Sequence, residues 1–340
     1  MHDQPDSADV LLSEAKVQDL ALRFLTGHGV SRQQAMPVAR CLAAAQRDGC
    51  RSHGLQRLPG VLDTIAHPQF DKGAQPKAEH VTAALTRVDA QFGFSLPAVE
   101  QGLPALITNA DKLGIAMLAI NNSFHFTALW PVVEEIASHG LAALSMNPSH
   151  SWVAPYGGSR GVLGTNPMAF AWPRKNRLPY VFDFATSAAA RADIALLRQQ
   201  GKPLPEGWGL DAEGRPSTDA AQVLQGAMLP FGGHKGSALA TMIELMSGPL
   251  IGDRTSRQSM DFDADVKAAP CHGELLIAFS PQLLGGDEGQ QGAEALLTEL
   301  EGQGARLPGE RRYQARQDSE RDGIRIPAAL HQRILSLMPD

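Results

Sequence analysis

The chain has 340 residues, 36 acidic and 30 basic, and a formal charge of −6, which argues against a nucleic-acid binder driven by bulk charge. Hydrophobic residues make up 43% and charged ones 19%, with 33 glycines and 23 prolines, so disordered and collagen-like chains are excluded. The length suits one large or two medium domains and buries enough apolar surface to fold without disulfides or a structural metal.

Cys41, Cys50 and Cys271 cannot all pair with one another and form no C-x-x-C couple, so a reducing compartment is expected. The N-terminal segment Met1–Asp6 carries acids where a signal peptide carries Lys or Arg, and no apolar stretch follows it. No run approaches the roughly 18 apolar residues of a membrane helix. A cytoplasmic location, with no membrane partner, is the expectation.

In chain order, Ser13 opens a predicted helix in which Val17, Leu20, Ala21 and Phe24 share a face, and Gly27 ends it. Ser31 with Gln34 reads as a capping box for a second helix through about Ala45, with Pro37 as an interior kink position. Asp48-Gly49 closes that segment; a third helix is expected from His53 to about Ala66, then a turn-rich linker from Gly73 to Glu79. Beyond it the apolar runs at 115–120, 141–146 and 168–172 are short, bounded by Gly, Asn or Pro, and read as buried strands. Helical stretches are predicted near residues 96–112, 128–138, 186–200 and 235–246, which gives a mixed α/β architecture. Residues 201–219 lack apolar periodicity and are predicted to form a long functional loop. A strand near 275–280, a helix near 293–301 and a charged loop from Arg306 to Arg321 complete the reading.

A G-x-G-x-x-G dinucleotide fingerprint, a G-x-x-x-x-G-K-[ST] phosphate loop and an H-E-x-x-H zinc motif are all absent from the sequence. Gly232-Gly233-His234-Lys235-Gly236 stands directly before an apolar helical run. Glycines there leave backbone N–H groups open, and Lys235 opposes the helix dipole unless an anion such as phosphate is bound; a plain turn with an exposed lysine is the alternative. Arg51–Arg57 places His53 and Arg57 four residues apart, on one face if the helix begins here. An imidazole beside a guanidinium suits a carboxylate next to a proton-accepting atom; equally, Ser52 could merely cap a helix and leave His53 solvated. Asp183 and Asp193 flank a predicted strand end and helix, and either could orient His53 or serve as a cap or surface charge. Gly157-Gly158-Ser159-Arg160-Gly161 matches the G-x-S-x-G of a serine hydrolase, with Asp211 or Asp219 and then His234 in chain order, but without the flanking strand and helix. Cys50 with His53, or His125 with His150, match no closed zinc spacing, and no metal is expected.

Taken in order, Ser52-His53-Gly54, Asn121–Phe126, Val153–Gly158, Gly164-Thr165-Asn166-Pro167, Asp183–Ser187 and Gly232–Gly236 resemble the malate/L-lactate dehydrogenase family of NAD(P)-dependent oxidoreductases that lack a Rossmann fold. The resemblance spans nearly the whole chain. Lys235–Ala238 and Asn147–Trp152 are most similar to the family's cyclic-imine branch, the reductases of Δ1-piperideine-2-carboxylate and Δ1-pyrroline-2-carboxylate. Hydroxyacid dehydrogenases of the family often carry an aromatic residue at the Ser237 position and a lysine near Asp193, where this chain departs from them.

The resemblance implies an α/β fold: a non-Rossmann NAD(P)-binding domain on a mixed, largely antiparallel sheet, with a helical substrate and dimerisation domain. It divides the chain into an N-terminal helical segment (1–75), a connecting region (76–120), an NADP-binding domain (121–300) and a C-terminal cofactor loop and helix (301–340). It implies NADPH-dependent reduction of cyclic imine carboxylates to L-pipecolate and L-proline, with a 2-hydroxyacid dehydrogenase as the alternative. It also implies a homodimer. His53 would be the proton donor in a relay with Ser52 and Asp193, and Arg57 and Thr165 would bind the substrate carboxylate. The cofactor would lie against His125, Phe126, Thr127, Ala128 and Leu129, against Asp183, Phe184 and Ala185, and against His234 and Lys235. The loop of Gly309, Glu310, Arg311, Arg312, Tyr313, Gln314 and Ala315 would complete its site, the paired arginines favouring a 2′-phosphate and hence NADP.

Overall fold

The computed structural model describes residues 9–339; the acid-rich Met1–Asp6 segment lies outside the described residues. β1 (Val10–Leu12) leads into α1 (Glu14–Gly27), where Ser13 Oγ accepts the Lys16 N–H at 3.4 Å. α2 (Arg32–Arg47) starts at Ser31, whose Oγ accepts the Gln34 N–H at 3.3 Å, and it carries Pro37 without ending. The capping box is only half made: the Gln34 side chain turns inward, donating to Ala74 O at 2.8 Å and accepting from the Phe94 N–H at 2.8 Å.

The helix expected from His53 to Ala66 begins only at Leu58. Two 3-10 turns, Arg51–His53 and Leu55–Arg57, precede α3 (Leu58–Ala66). Gly54 between them has φ −93° and ψ −144°, outside the helical region. It packs so closely on α2 that a Cβ would collide with Gln46 Oε1, which takes the Leu55 N–H at 3.1 Å. The chain is thus pinned to α2 where a helix would have to begin, and Pro59 in the first turn of α3 starts the helix instead.

β2 (Lys77–His80), β3 (Leu85–Asp89), α4 (Ser95–Leu113), β4 (Ile115–Phe124), α5 (Trp130–Ser138), β5 (Ala142–Met146), β6 (Met168–Trp172) and β7 (Tyr180–Phe184) follow. The boundary at residue 120 therefore falls inside β4. α6 (Arg191–Gln199) is shorter than the predicted 186–200 helix. The long loop after it is fastened by the Leu204 N–H on Thr218 O at 2.8 Å and by a small pair, β8 (Gly209–Leu210) with β9 (Ala227–Met228), bracketing α7 (Ala220–Gln225). α8 (His234–Ser247), α9 (Ser256–Asp263), β10 (Cys271–Phe279), α10 (Pro281–Gly302), α11 (Glu310–Asp322), β11 (Ile324–Ile326) and α12 (Ala328–Ser336) complete the order. The charged loop expected from Arg306 to Arg321 is thus mostly helix. Gly309, at φ 95°, turns the chain into α11, and Tyr313 buries itself on the sheet edge, giving this polar stretch the anchor it lacks by periodicity.

Seven strands form one sheet in the order β2-β3-β4-β10-β5-β6-β7. Only β3 and β4 run parallel; every other pair is antiparallel. The sheet is mixed and largely antiparallel, as the resemblance implies. On one face Leu118, Ile120, Ala143, Ala169 and Leu276 pack with α4 and α5 in the main core. On the other, Ala119, Met146, Leu275 and Ile277 meet Ile243 of α8 and Ile251. Among the described residues no helix is long and apolar enough to cross a membrane.

Sequence-distant segments clasp one another: β1 pairs antiparallel with β11, and α11 lies against α2. Asp48, fully buried at its side chain, accepts from Arg47 Nε at 2.6 Å and from Arg316 through both carboxylate oxygens, at 3.1 and 2.6 Å. Arg316 reaches on to Glu134 of α5 at 2.6 Å. Removing one partner of a buried ion network strands the remaining charges. Asp48→Ala should therefore lower unfolding free energy by about 3 kcal/mol, measured by urea denaturation. A loss below about 1 kcal/mol, the range of exposed pairs, would show the clasp to be ornamental.

Candidate active site

The two 3-10 turns present His53 and Arg57 together without an α-helix. Ser52 Oγ lies 3.2 Å from His53 Nδ1. Burial pushes the imidazole down to about 4, and the neighbouring Arg57 guanidinium adds to the shift. Arg57 is itself lowered by burial, and its Nε is buried with no hydrogen-bond partner. The pair therefore forms a desolvated cationic pocket, which an anion would relieve.

Behind it stands His125, held by its N–H on Pro270 O at 3.0 Å. Burial keeps its imidazole well below the usual range, and His272, His53 and Arg57 all oppose its charge. Its Nε2 is 3.8 Å from Glu274 Oε2, and its ring centroid is 5.9 Å from that of His272. Burial raises Glu274 to about 7, against the Ser145 hydroxyl, which donates to its Oε1 at 3.0 Å.

The next residues form the turn into α5. Phe126 packs edge-on to Phe94, and Ala128 O accepts a weak bond from Cys41 Sγ at 3.9 Å. The N–H groups of Leu129 and Trp130 both donate to Asp183 Oδ2 at 3.0 Å. Asp183, at the end of β7, therefore caps α5 from a distant strand and is not hydrogen-bonded to His53; burial raises its carboxyl against those two donors and Arg312. Arg312 Nη2 donates to Val181 O at 3.0 Å, and its guanidinium lies 5.0 Å from the Trp130 ring. Tyr313 donates to Pro179 O at 2.8 Å, Gln314 pairs with Asp318 within α11, and Ala315 lies against Gly49. Glu310 and Arg311 are exposed on the first turn. The structure thus brings three predicted segments, 125–129, 183–185 and 309–315, to one place.

A fourth segment joins from the other direction. Thr165 O accepts the Thr186 N–H at 2.8 Å and its hydroxyl at 3.1 Å, beside Ala185. Phe184, half-exposed, meets Phe231 edge-on. From Phe231 the chain turns through Gly232 and Gly233, both with positive φ, into α8, whose first residues His234 and Lys235 are exposed and whose N-terminus has no side-chain cap. Gly236 must be glycine, because a Cβ would strike Phe231 O. Further along α8, buried Glu244 gathers the Gly164 N–H at 3.2 Å, Asn166 Nδ2 at 2.8 Å, the Ser256 N–H at 2.8 Å and the Ser256 hydroxyl. One carboxylate thereby ties the Thr165 turn to the helix that carries Lys235.

Two predicted groups are not joined. Asp193 is exposed in the first turn of α6 and makes no side-chain hydrogen bond among the described residues, so the three-membered relay is present as the Ser52–His53 pair alone. Ser159 is exposed in a loop with no strand before it and no helix after it, and no hydrogen bond ties it to a histidine among the described residues. The hydrolase geometry is absent. Glu274, Glu244 and Trp130 escape the sequence reading. A signal existed for Glu274, an acid inside the apolar run Cys271–Phe279, but a strand begun at Leu275 leaves it out.

Arg57 Nε, Thr127 Oγ1, Trp130 Nε1 and Arg312 Nε are all buried without hydrogen-bond partners among the described residues. Three of these are donors only, so the site fits a ligand rich in acceptor oxygens, as a dinucleotide and a carboxylate are. The family description of malate/L-lactate dehydrogenase matches residues 12–335. The chain is 52% identical over 334 residues, 97% of its length and 98% of the relative's, to Delta(1)-pyrroline-2-carboxylate reductase 1 of Burkholderia ambifaria. It is 48% identical, over 95% of its length and 98% of the relative's, to a Delta(1)-pyrroline-2-carboxylate/Delta(1)-piperideine-2-carboxylate reductase of Pseudomonas aeruginosa. The crystal structure of delta1-piperideine-2-carboxylate reductase from Pseudomonas syringae superposes with a TM-score of 0.93 at 42% identity, covering 96% of this chain and 99% of that one. With its fold, its converging segments and these likenesses in agreement, the chain belongs to the malate/L-lactate dehydrogenase family of oxidoreductases.

Proposed function

We propose that this chain reduces the C=N bond of Δ1-pyrroline-2-carboxylate and Δ1-piperideine-2-carboxylate to L-proline and L-pipecolate, using NADPH. The observation that carries this reading is the half-buried Arg57 beside His53, its Nε buried and unpaired among the described residues, in a chain that matches reductases so named over nearly its whole length. Arg57 holds the ring carboxylate through its planar fork, and Thr165 adds a hydrogen bond that fixes which face of C2 is presented. His53, positioned by Ser52, delivers the proton to the ring nitrogen. When bound, the reduced nicotinamide supplies the hydride that C2 accepts.

Residues 125–129 and the Asp183–Ala185 strand end line the dinucleotide, and His234 and Lys235 at the uncapped start of α8 hold its pyrophosphate. Arg312 is engaged with Val181 and Trp130, whereas Arg311 is exposed and makes no hydrogen bond among the described residues, so Arg311 takes the 2′-phosphate. Asp193 remains the third member of the relay only if α6 moves toward His53. The reading includes a homodimer, for which exposed Leu245 and Leu250, beside the face that α8 covers, offer apolar surface to a second copy. It also includes a cytoplasmic location, consistent with three free cysteines.

NADPH oxidation should be rapid with both cyclic imines and slow with pyruvate and oxaloacetate, in absorbance assays run side by side. A preference for the ketoacids would replace the reading with that of a 2-hydroxyacid dehydrogenase. Arg311→Gln should raise KM for NADPH by ~10-fold or more, the value of one charge-assisted phosphate contact, and leave NADH kinetics unchanged; an equal effect on both cofactors would move the phosphate site elsewhere. Arg57→Met should raise KM for the imine ~100-fold, as expected for losing a paired buried charge, with NADPH binding by fluorescence titration preserved.

A further inference from the structure

Thr165 is half-buried, and its hydroxyl makes no hydrogen bond among the described residues. Its surroundings, by contrast, are fastened from two sides. Its carbonyl oxygen takes the Thr186 N–H at 2.8 Å and the Thr186 hydroxyl at 3.1 Å. Opposite, Glu244 Oε1 accepts the Gly164 N–H at 3.2 Å and Asn166 Nδ2 at 2.8 Å, so the residues just before and just after Thr165 share one carboxylate oxygen. Asn166 Nδ2 also donates to Ala240 O, one turn earlier on α8, at 3.0 Å. Ser256 gives both its N–H, at 2.8 Å, and its hydroxyl to the same carboxylate, and its oxygen accepts the Ser149 N–H at 3.2 Å.

The turn is held in a conformation it would not choose alone. Asn166 is fully buried at φ 36°, a left-handed angle that persists only where the surroundings over-determine it. A Cβ on Gly164 would strike Asn166 Oδ1, Ser256 Oγ and the Ser149 nitrogen, so the backbone lies flat against these partners. Glu244 faces only donors, and a carboxylate is the side chain that accepts from several donors while offering none. The packing of α8 needs no acid there, since Ala240 and Ile243 already fill the cores on which the helix rests. The acceptor serves the turn, and the turn presents a free hydroxyl.

We propose that Glu244 is a positioning residue, which through Gly164 and Asn166 holds the Thr165 hydroxyl where the substrate carboxylate docks. The proposal rests on the reading that Thr165 binds that carboxylate. A turn without this acceptor orders only when the substrate arrives, and the freedom lost at that moment weakens the contact.

Glu244→Met keeps the length of the side chain and removes the acceptor from both sides of Thr165. Its kcat/KM for Δ1-pyrroline-2-carboxylate should fall ~10-fold, the scale of one hydrogen bond to a charged group, while NADPH affinity by fluorescence titration stays within about two-fold. Thr165→Val, which deletes the hydroxyl alone, should cost a similar factor. Added to Thr165→Val, Glu244→Met should cost less than about two-fold more, because the group it positions is gone. A merely structural role gives losses that multiply, or an NADPH affinity that falls along with imine turnover, and either result overturns the proposal. Asn166→Gly accommodates the left-handed φ but drops both side-chain bonds; taken through the same cycle, it decides the matter if Glu244→Met fails to fold. A Thr165→Val enzyme with unaltered imine kinetics overturns the role of Thr165 and the proposal with it. A wild type inert toward imines overturns the imine-reductase reading on which both stand.

Discussion

Burying all but the last residue of β10, with Leu275–Phe279 paired between β4 and β5 and Cys271–Glu274 paired to β4 alone, sets the terms for the whole molecule. A strand paired on both edges satisfies its backbone through its neighbours, so only its polar side chains need separate arrangements. Two of them, His272 and Glu274, lie on the same strand as the apolar residues that fill both layers. His272 settles on Asn147 and Gly273 O. Glu274 settles only halfway, on Ser145, and its other oxygen lies toward His125. The same strand that closes the core thereby sets a carboxyl group 3.8 Å from the His125 imidazole.

A second device keeps the two ends of the cleft in register. Glu244 is a buried carboxylate that gathers several hydrogen-bond donors and has no salt-bridge partner among the described residues. Because it sits on α8, any rotation of that helix moves both Lys235 and the Thr165 turn. The start of α8 and the Thr165 turn are therefore geometrically coupled through one buried carboxylate. Asp183 does comparable work across the sheet, ordering the turn from Leu129 by accepting its free amides.

How much of this is legible in the sequence depends on range. Local signals hold: Ser13 caps α1, and the bounded apolar runs are β5 and β6. Signals that depend on a distant partner do not. Gln34 looks like a capping residue and serves the 74–94 connection, and Gly54 looks like a helical position until Gln46 is seen packed against it. The 309–315 segment reads as a loop because α11 has a polar face almost all round and is fastened by scattered contacts, those of Tyr313, its arginines and Ser319. The ordered motifs mark segments that the fold brings together, whereas Glu274 and Glu244 appear as stray acids in apolar runs until the fold surrounds them.

The pairing of β1 with β11 and the grip of Arg316 on Asp48 have a temporal side. During synthesis the His53 turns emerge early, while the α11 residues that lock α2 and border the α5 turn emerge some 250 residues later. Until then the N-terminal helices have no counter-ion for Asp48 beyond Arg47, and the cleft has only one wall. The site is consequently finished last, so a chain halted short of α11 would carry His53 and Arg57 on an unclosed pocket.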